Sequence, residues 1–142
     1  MWYMEYTETI RVEADRSRAW RALAAVTTYP QWTTSMTNVS GLDGPDLAVG
    51  HRFQIRQPGL PAAVWRVSEV RDGESFAWEN RTPGLHSVAT HRVSANPDGS
   101  TQVTLVLRQS GALASLIALL TQAKTRRYIA LEAAGVKAAA ES

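Results

Sequence analysis

"AVWRVSEVRDGESFAWEN", residues 63–80, holds two runs rich in β-branched and aromatic residues joined by Asp72-Gly73. Asp-Gly suits a tight hairpin, because the turn needs positive φ and glycine has no Cβ to oppose it. Period-two alternation then puts Trp65, Val67 and Glu69 on one face of the first strand. Phe76, Trp78 and Asn80 share one face of the second. A half-oily antiparallel hairpin belongs in a sheet with one buried side, and the flanking sequence supplies the rest of that sheet.

Downstream, "RTPGLHSVATHRV" (81–93) is a turn followed by a strand. His86 and His91 are five residues apart, an odd spacing that sends the rings to opposite faces. Parity with Val93 places His91 inside and His86 outside. "NPDGS" (96–100) turns the chain, and "TQVTLVLRQ" (101–109) makes the last strand, with Val103, Leu105 and Leu107 inward. Upstream, "HRFQIRQ" (51–57) is a strand with Phe53 and Ile55 inward, broken by "PGLP" (58–61). "VSGLDGPDLAVG" (39–50) is a brief strand running into turns.

The first strand is "YTETIRVEA" (6–14), with Tyr6, Glu8, Ile10 and Val12 on one face. In "ADRSRAWRALAAV" (14–26) the period changes to helical. Asp15 is the N-cap, and Ala19, Trp20, Leu23 and Val26 form the apolar side. "TTYPQWTTSM" (27–36) predicts a short second helix with Pro30 early in it. Ser110 is expected to cap a final helix from about Ala112 to about Ala140, roughly 40 Å long. Its stripe of Leu113, Leu116, Ile117 and Leu120 extends to Lys124, Arg127 and Tyr128. Ile129 and Val136 turn the buried face toward Glu132 in the second half.

The order is strand, two short helices, six strands, long helix: an α+β chain. One helix cannot cover both faces of seven strands. A strongly curved sheet wrapped around it buries the helix stripe and one sheet face together, and tends to leave space between them. The 142 residues fit a single domain, 1–142. Lys+Arg of 15 against Asp+Glu of 13 leaves +2, with the basic residues scattered, so nucleic acid is not an expected partner. The absence of cysteine excludes disulfides and thiolate chemistry. "MWYMEYTETI" has no apolar core of a secretory signal, and the longest apolar run, "ALASLIALL" (112–120), is far below the ~20 residues of a membrane span. A cytoplasmic protein without membrane insertion is expected. No phosphate loop, dinucleotide fingerprint, nucleophile elbow or zinc-ligand spacing occurs, so no cofactor and no metal is expected.

The residues nominated to line the space are Trp32, Met36, Phe53, Trp65, Trp78, His91, Leu116, Leu120 and Tyr128. Trp2 and Trp20 are assigned to packing, and Lys124 and Arg127 to a rim where their stems cover apolar surface. The polar residues on inward faces, His91, Glu8 and Glu69, are the candidates for proton transfer, since imidazole titrates near neutrality and a buried carboxyl can be shifted toward it. For each there is a plainer role, a satisfied core histidine or a strand-end carboxylate.

Layout and wording together resemble the START-like (SRPBCC) superfamily, the helix-grip fold of polyketide cyclases/dehydrases, lipid-transfer START domains and birch-pollen allergen relatives. The resemblance lies in "ADRSRAWRALAAVTTYPQW", "AVGHRFQI", "WRVSEVRDGESFAWEN", "HRVSANPDGSTQVTL" and "RRYIALEAAGVK", and covers nearly the whole chain. It implies a hydrophobic cavity between sheet and terminal helix that accepts a lipid, polyketide or aromatic metabolite. It carries over no universal catalytic residue. Three functions follow as expectations: binding or transport of a small hydrophobic molecule; cyclisation or dehydration in a cavity of suitable shape with a proton-shuttling His or Glu; and a protein-interaction module. Whether the chain is an enzyme is left open by the sequence, as is a homodimer through strand edges.

Overall fold

The computed structural model describes residues 3–142. Trp2, assigned to packing, lies outside the described residues. The chain runs β1 (Tyr3–Val12), α1 (Arg16–Ala24), a 3₁₀ turn (Val26–Gln31), β2 (Asn38–Gly41), β3 (Arg52–Arg56), β4 (Ala63–Arg71), β5 (Ser75–Thr82), β6 (Leu85–Ala95), β7 (Thr101–Ser110) and α2 (Ala114–Glu141). All seven strands form one antiparallel sheet in the order β1-β7-β6-β5-β4-β3-β2. β2 through β7 are thus a meander, and β1 returns to pair with β7. The Asp72-Gly73 turn is present, with Gly73 at φ +77°.

The Asp15 carboxylate accepts from the Arg18 amide at 2.8 Å and starts α1. Its apolar side, Ala19, Trp20 and Leu23, is buried against the end of the sheet trough. The Trp20 indole N–H donates to Asp72 at 3.2 Å and its ring meets Phe76 edge-on. The short second helix is 3₁₀ rather than α, with Pro30 near its end. A proline there cannot donate onward, and the chain leaves for β2 a few residues later.

Helix α2 lies in the trough but does not fill it. It packs chiefly against β1, with lesser contact to α1 and β7. It comes close to the chain at the end of the 3₁₀ turn at Gly135, where an added Cβ would stand 2.8 Å from the Trp32 carbonyl oxygen and 2.9 Å from the Thr33 Cβ. Ala133 and Ala140 are buried as well, so small residues on more than one side let the C-terminal half settle deeply. Gly135→Ala is therefore expected to destabilise by about 1–3 kcal/mol through overpacking, although alanine is the better helix former. Denaturant unfolding checks this, and an alanine variant more stable than wild type would rule the close contact out.

Two expectations about registration are corrected. Ser110 ends β7 instead of capping the helix, and Leu113 precedes α2 with no side-chain cap. The outward and inward stripes of α2 are also exchanged in its first half. Leu116 and Leu120 are 53% and 75% exposed, while Ala114 and Ala118 are buried; Tyr128, further along the expected stripe, is buried as expected. Small side chains take the inward positions of the first half, and the large ones turn out.

Candidate functional site

Where α2 stands off from β3 to β6, a cavity of about 660 Å³ opens. An inner chamber of about 90 Å³ adjoins it, and Met36, Gln57, Trp65, Leu107, Ile129 and Glu132 border both. The inner faces of the strands build its wall rung by rung. Trp78 is opposite Ala89 and Ala89 opposite Leu107; one step deeper, His91 faces Phe76 on one side and Leu105 on the other. One step toward the mouth the rung is polar, with Asn80, Ser87 and Gln109 in line. The Gln109 amide donates to the Ser87 hydroxyl at 3.3 Å, and Asn80 donates to the Val64 carbonyl at 2.8 Å. The cavity thus has a polar mouth, an aromatic and aliphatic belt, and a polar floor.

That floor is the buried couple His91 and Glu132. The imidazole lies flat on the Phe76 ring, with centroids 4.1 Å apart and planes 6° from parallel, and the Trp78 ring meets it edge-on at 5.5 Å. Its Nε2 is 3.8 Å from the Glu132 carboxyl, too far for a hydrogen bond, and its Nδ1 is buried without a partner. Burial disfavours charge on both groups. It pushes the Glu132 carboxyl up to about 7 and the His91 imidazole down to about 3. The floor at neutral pH therefore holds a neutral imidazole beside a carboxyl poised between its two forms. Tyr29 stands close enough to Glu132 for burial and that charge to raise its phenol well above the ordinary range. Its hydroxyl donates to the Leu23 carbonyl.

The mouth is spanned by the loop between β3 and β4. The Tyr128 hydroxyl donates to the Pro58 carbonyl, and Lys124 Nζ reaches the Gly59 carbonyl at 3.3 Å. Tyr128 therefore offers the chamber its ring, while its hydroxyl ties the loop to α2.

Of the nominated lining residues, Met36, Trp65, Trp78, His91 and Tyr128 border the cavity. Phe53 is fully buried behind Trp78 and belongs to the core. Trp32 is 39% exposed and borders a separate small crevice with Gly135 and Ala139. Leu116 and Leu120 face away. Glu69 is a correction: the register shifts between Val67 and Glu69, so Val70 takes the place opposite Phe76. Glu69 turns to solvent, where Arg71 donates to it at 2.9 Å. Glu8 is half-buried opposite Leu105, outside both chambers. Glu132, the carboxyl that does reach His91, was not among the candidates. The drift of the helix stripe past Ile129 toward Val136 is the signal that points to it.

The family model described as "Polyketide cyclase / dehydrase and lipid transport" matches residues 4–141. No curated protein matches the sequence. Among solved structures, the ZhuI aromatase/cyclase of Streptomyces sp. R1128 superposes with a TM-score of 0.79 at 16% identity, covering 99% of this chain and 94% of that one. A major latex-like protein of Panax ginseng gives 0.76 at 10% identity, with 96% of each chain covered. A hypothetical protein of Helicobacter pylori gives 0.76 at 15%, covering 96% and 86%. These likenesses, all at low identity, carry the helix-grip fold.

Proposed function

Since the chain belongs to the polyketide cyclase/dehydrase and lipid transport family, we propose that it holds one small, largely apolar molecule between α2 and the sheet, its inner end against His91 and Glu132. The observation that carries this reading is that the two chambers share Trp65, Leu107 and Ile129 as walls above a buried, polar floor. Burial of the ligand's apolar surface supplies affinity at about 25 cal/mol per Å², and the floor orients the polar end. A carbonyl suits the protonated Glu132, which can donate to it.

Ala89→Phe tests this by filling the inner chamber from the wall, between the Trp78 and Leu107 rungs. An environment-sensitive naphthalene probe is expected to bind wild type with enhanced, blue-shifted emission and to bind Ala89→Phe at least roughly tenfold more weakly. Equal affinity for the two, with both folded, would place the probe elsewhere and end the proposal.

A second reading, proton-transfer catalysis of cyclisation or dehydration, is favoured by the same floor. Glu132 protonated can deliver a proton to a carbonyl oxygen or a departing hydroxyl. Its carboxylate form can remove a proton from a carbon next to a carbonyl. His91, neutral and held flat by Phe76, serves as hydrogen-bonding partner rather than as the base, since burial has removed most of its basicity. Turnover of a poly-β-ketone model compound that survives Glu132→Gln unchanged would leave only the binding reading.

A further inference from the structure

We propose that the outward face of the first half of α2 docks on an anionic lipid surface, with the cavity mouth turned toward it. Leu113, just before α2, and Leu116, Leu119 and Leu120 in its first two turns are 43%, 53%, 78% and 75% exposed. Across the mouth Leu60 and Val64, both exposed, border the outer chamber, and Ile117 and Thr121 of α2 border it too. Leu116 and Leu120 immediately precede these two lining residues, so they flank the edge of α2 that borders the opening, with Leu119 further round the helix. Single exposed leucines are ordinary; a contiguous set beside a cavity opening marks a contact surface.

Charge selects the occupant. From Gly111 to Leu131 there is no acidic residue, while Lys124, Arg126 and Arg127 follow the leucines. Leu116, Leu120, Ala123 and Arg127 succeed one another at spacings of four, three and four, which keeps them on one face. None of the three cations is ion-paired among the described residues. Arg126 and Arg127 rest over the rings of Tyr6 and Tyr128 at 5.2 and 5.4 Å instead. Leucines followed by Arg127 on one helical face, with Lys124 and Arg126 flanking it on either side, are the pattern of an interfacial helix on acidic headgroups. A second copy of this chain fits less well. Four leucines present about half of the ~800 Å² per partner that a stable protein interface buries, and pairing the faces would gather six cations, three from each copy. No helix among the described residues is long and apolar enough to cross a membrane, so docking means lying on the surface.

The test is co-sedimentation with vesicles of phosphatidylcholine alone and of phosphatidylcholine mixed with phosphatidylserine. Wild type is expected to pellet with the mixed vesicles, not with phosphatidylcholine alone, and to be released as salt rises. Leu116→Ser with Leu120→Ser is expected to lower the partition coefficient by roughly tenfold or more. Arg126→Gln with Arg127→Gln is expected to lower it by roughly fivefold per arginine. The leucine pair lines neither chamber, so its variant should keep native circular dichroism and probe affinity, which separates this proposal from the one about the cavity. Failure of wild type to pellet with either vesicle overturns it. So does lipid binding indifferent to the leucines, or a leucine-dependent dimer in sedimentation velocity without vesicle binding.

Discussion

Glu132→Gln is expected to gain stability relative to wild type as pH rises, by about 3 kcal/mol between roughly pH 4 and pH 8. The direction follows from the carboxyl's two environments. Unfolded, it ionises near its ordinary value of 4.5; folded, burial holds it at about 7. Below 4.5 both states carry the proton, and Glu and Gln behave alike. As pH rises toward 7 the unfolded state releases its proton first, so the wild-type fold loses stability that the amide variant keeps. Above 7 the difference is constant. His91 works in the opposite sense: burial lowers it from 6.5 to about 3, so its contribution is present above 6.5 and lost as pH falls. Between about 4.5 and 6.5 the two slopes offset each other, and wild type should show a plateau there. Urea unfolding of both proteins across this range measures the difference. A flat difference would mean that Glu132 titrates as a solvated carboxylate, and a slope of opposite sign that it is charge-paired; in either case the neutral floor would be lost with it.

This floor also marks where the sequence stops being informative. Alternation and turn chemistry are enough to place the strands along the chain and to turn His91 inward, because both depend on sequence neighbours. The pairing of β1 with β7, at the two ends of the strand series, is not among the things they give. Glu69 was misplaced for a local reason, since one extra residue near Ser68 reverses parity and nothing in "WRVSEV" announces it. The helix was misread for a global one. "ALASLIALL" has large leucines at helical spacing, and periodicity assigns them to the core. Whether a wall exists to receive them depends on how far the helix stands from the sheet, a tertiary distance that periodicity does not carry. Glu132 likewise meets His91 across elements that share no local signal. Trp32 was expected at the cavity and stands at a separate crevice because the 3₁₀ turn ends beside the deep half of α2, not the open half.

Trp65 and Trp78 should separate when each is replaced by alanine. Trp78 is 2% exposed and touches Phe53, Phe76, Trp65 and His91, with ring centroids between 5.4 and 6.3 Å. Removing it empties the meeting point of the aromatic core, at an expected cost of about 3–5 kcal/mol. Against a typical total of about 5–15 kcal/mol, that lowers the melting temperature by roughly 10–20 °C. Trp65 is only partly buried, because one side already faces both chambers. Its replacement leaves a wider cavity rather than a new hole, so its stability cost should be about half or less. Probe affinity should respond the other way, falling roughly tenfold in Trp65→Ala, where a ligand loses a rigid flat wall. Thermal melts paired with probe titrations read both quantities on the same samples. If Trp65→Ala melts as low as Trp78→Ala and binds the probe like wild type, then Trp65 is core, the belt between mouth and floor is not a ligand surface, and the cavity is a packing defect.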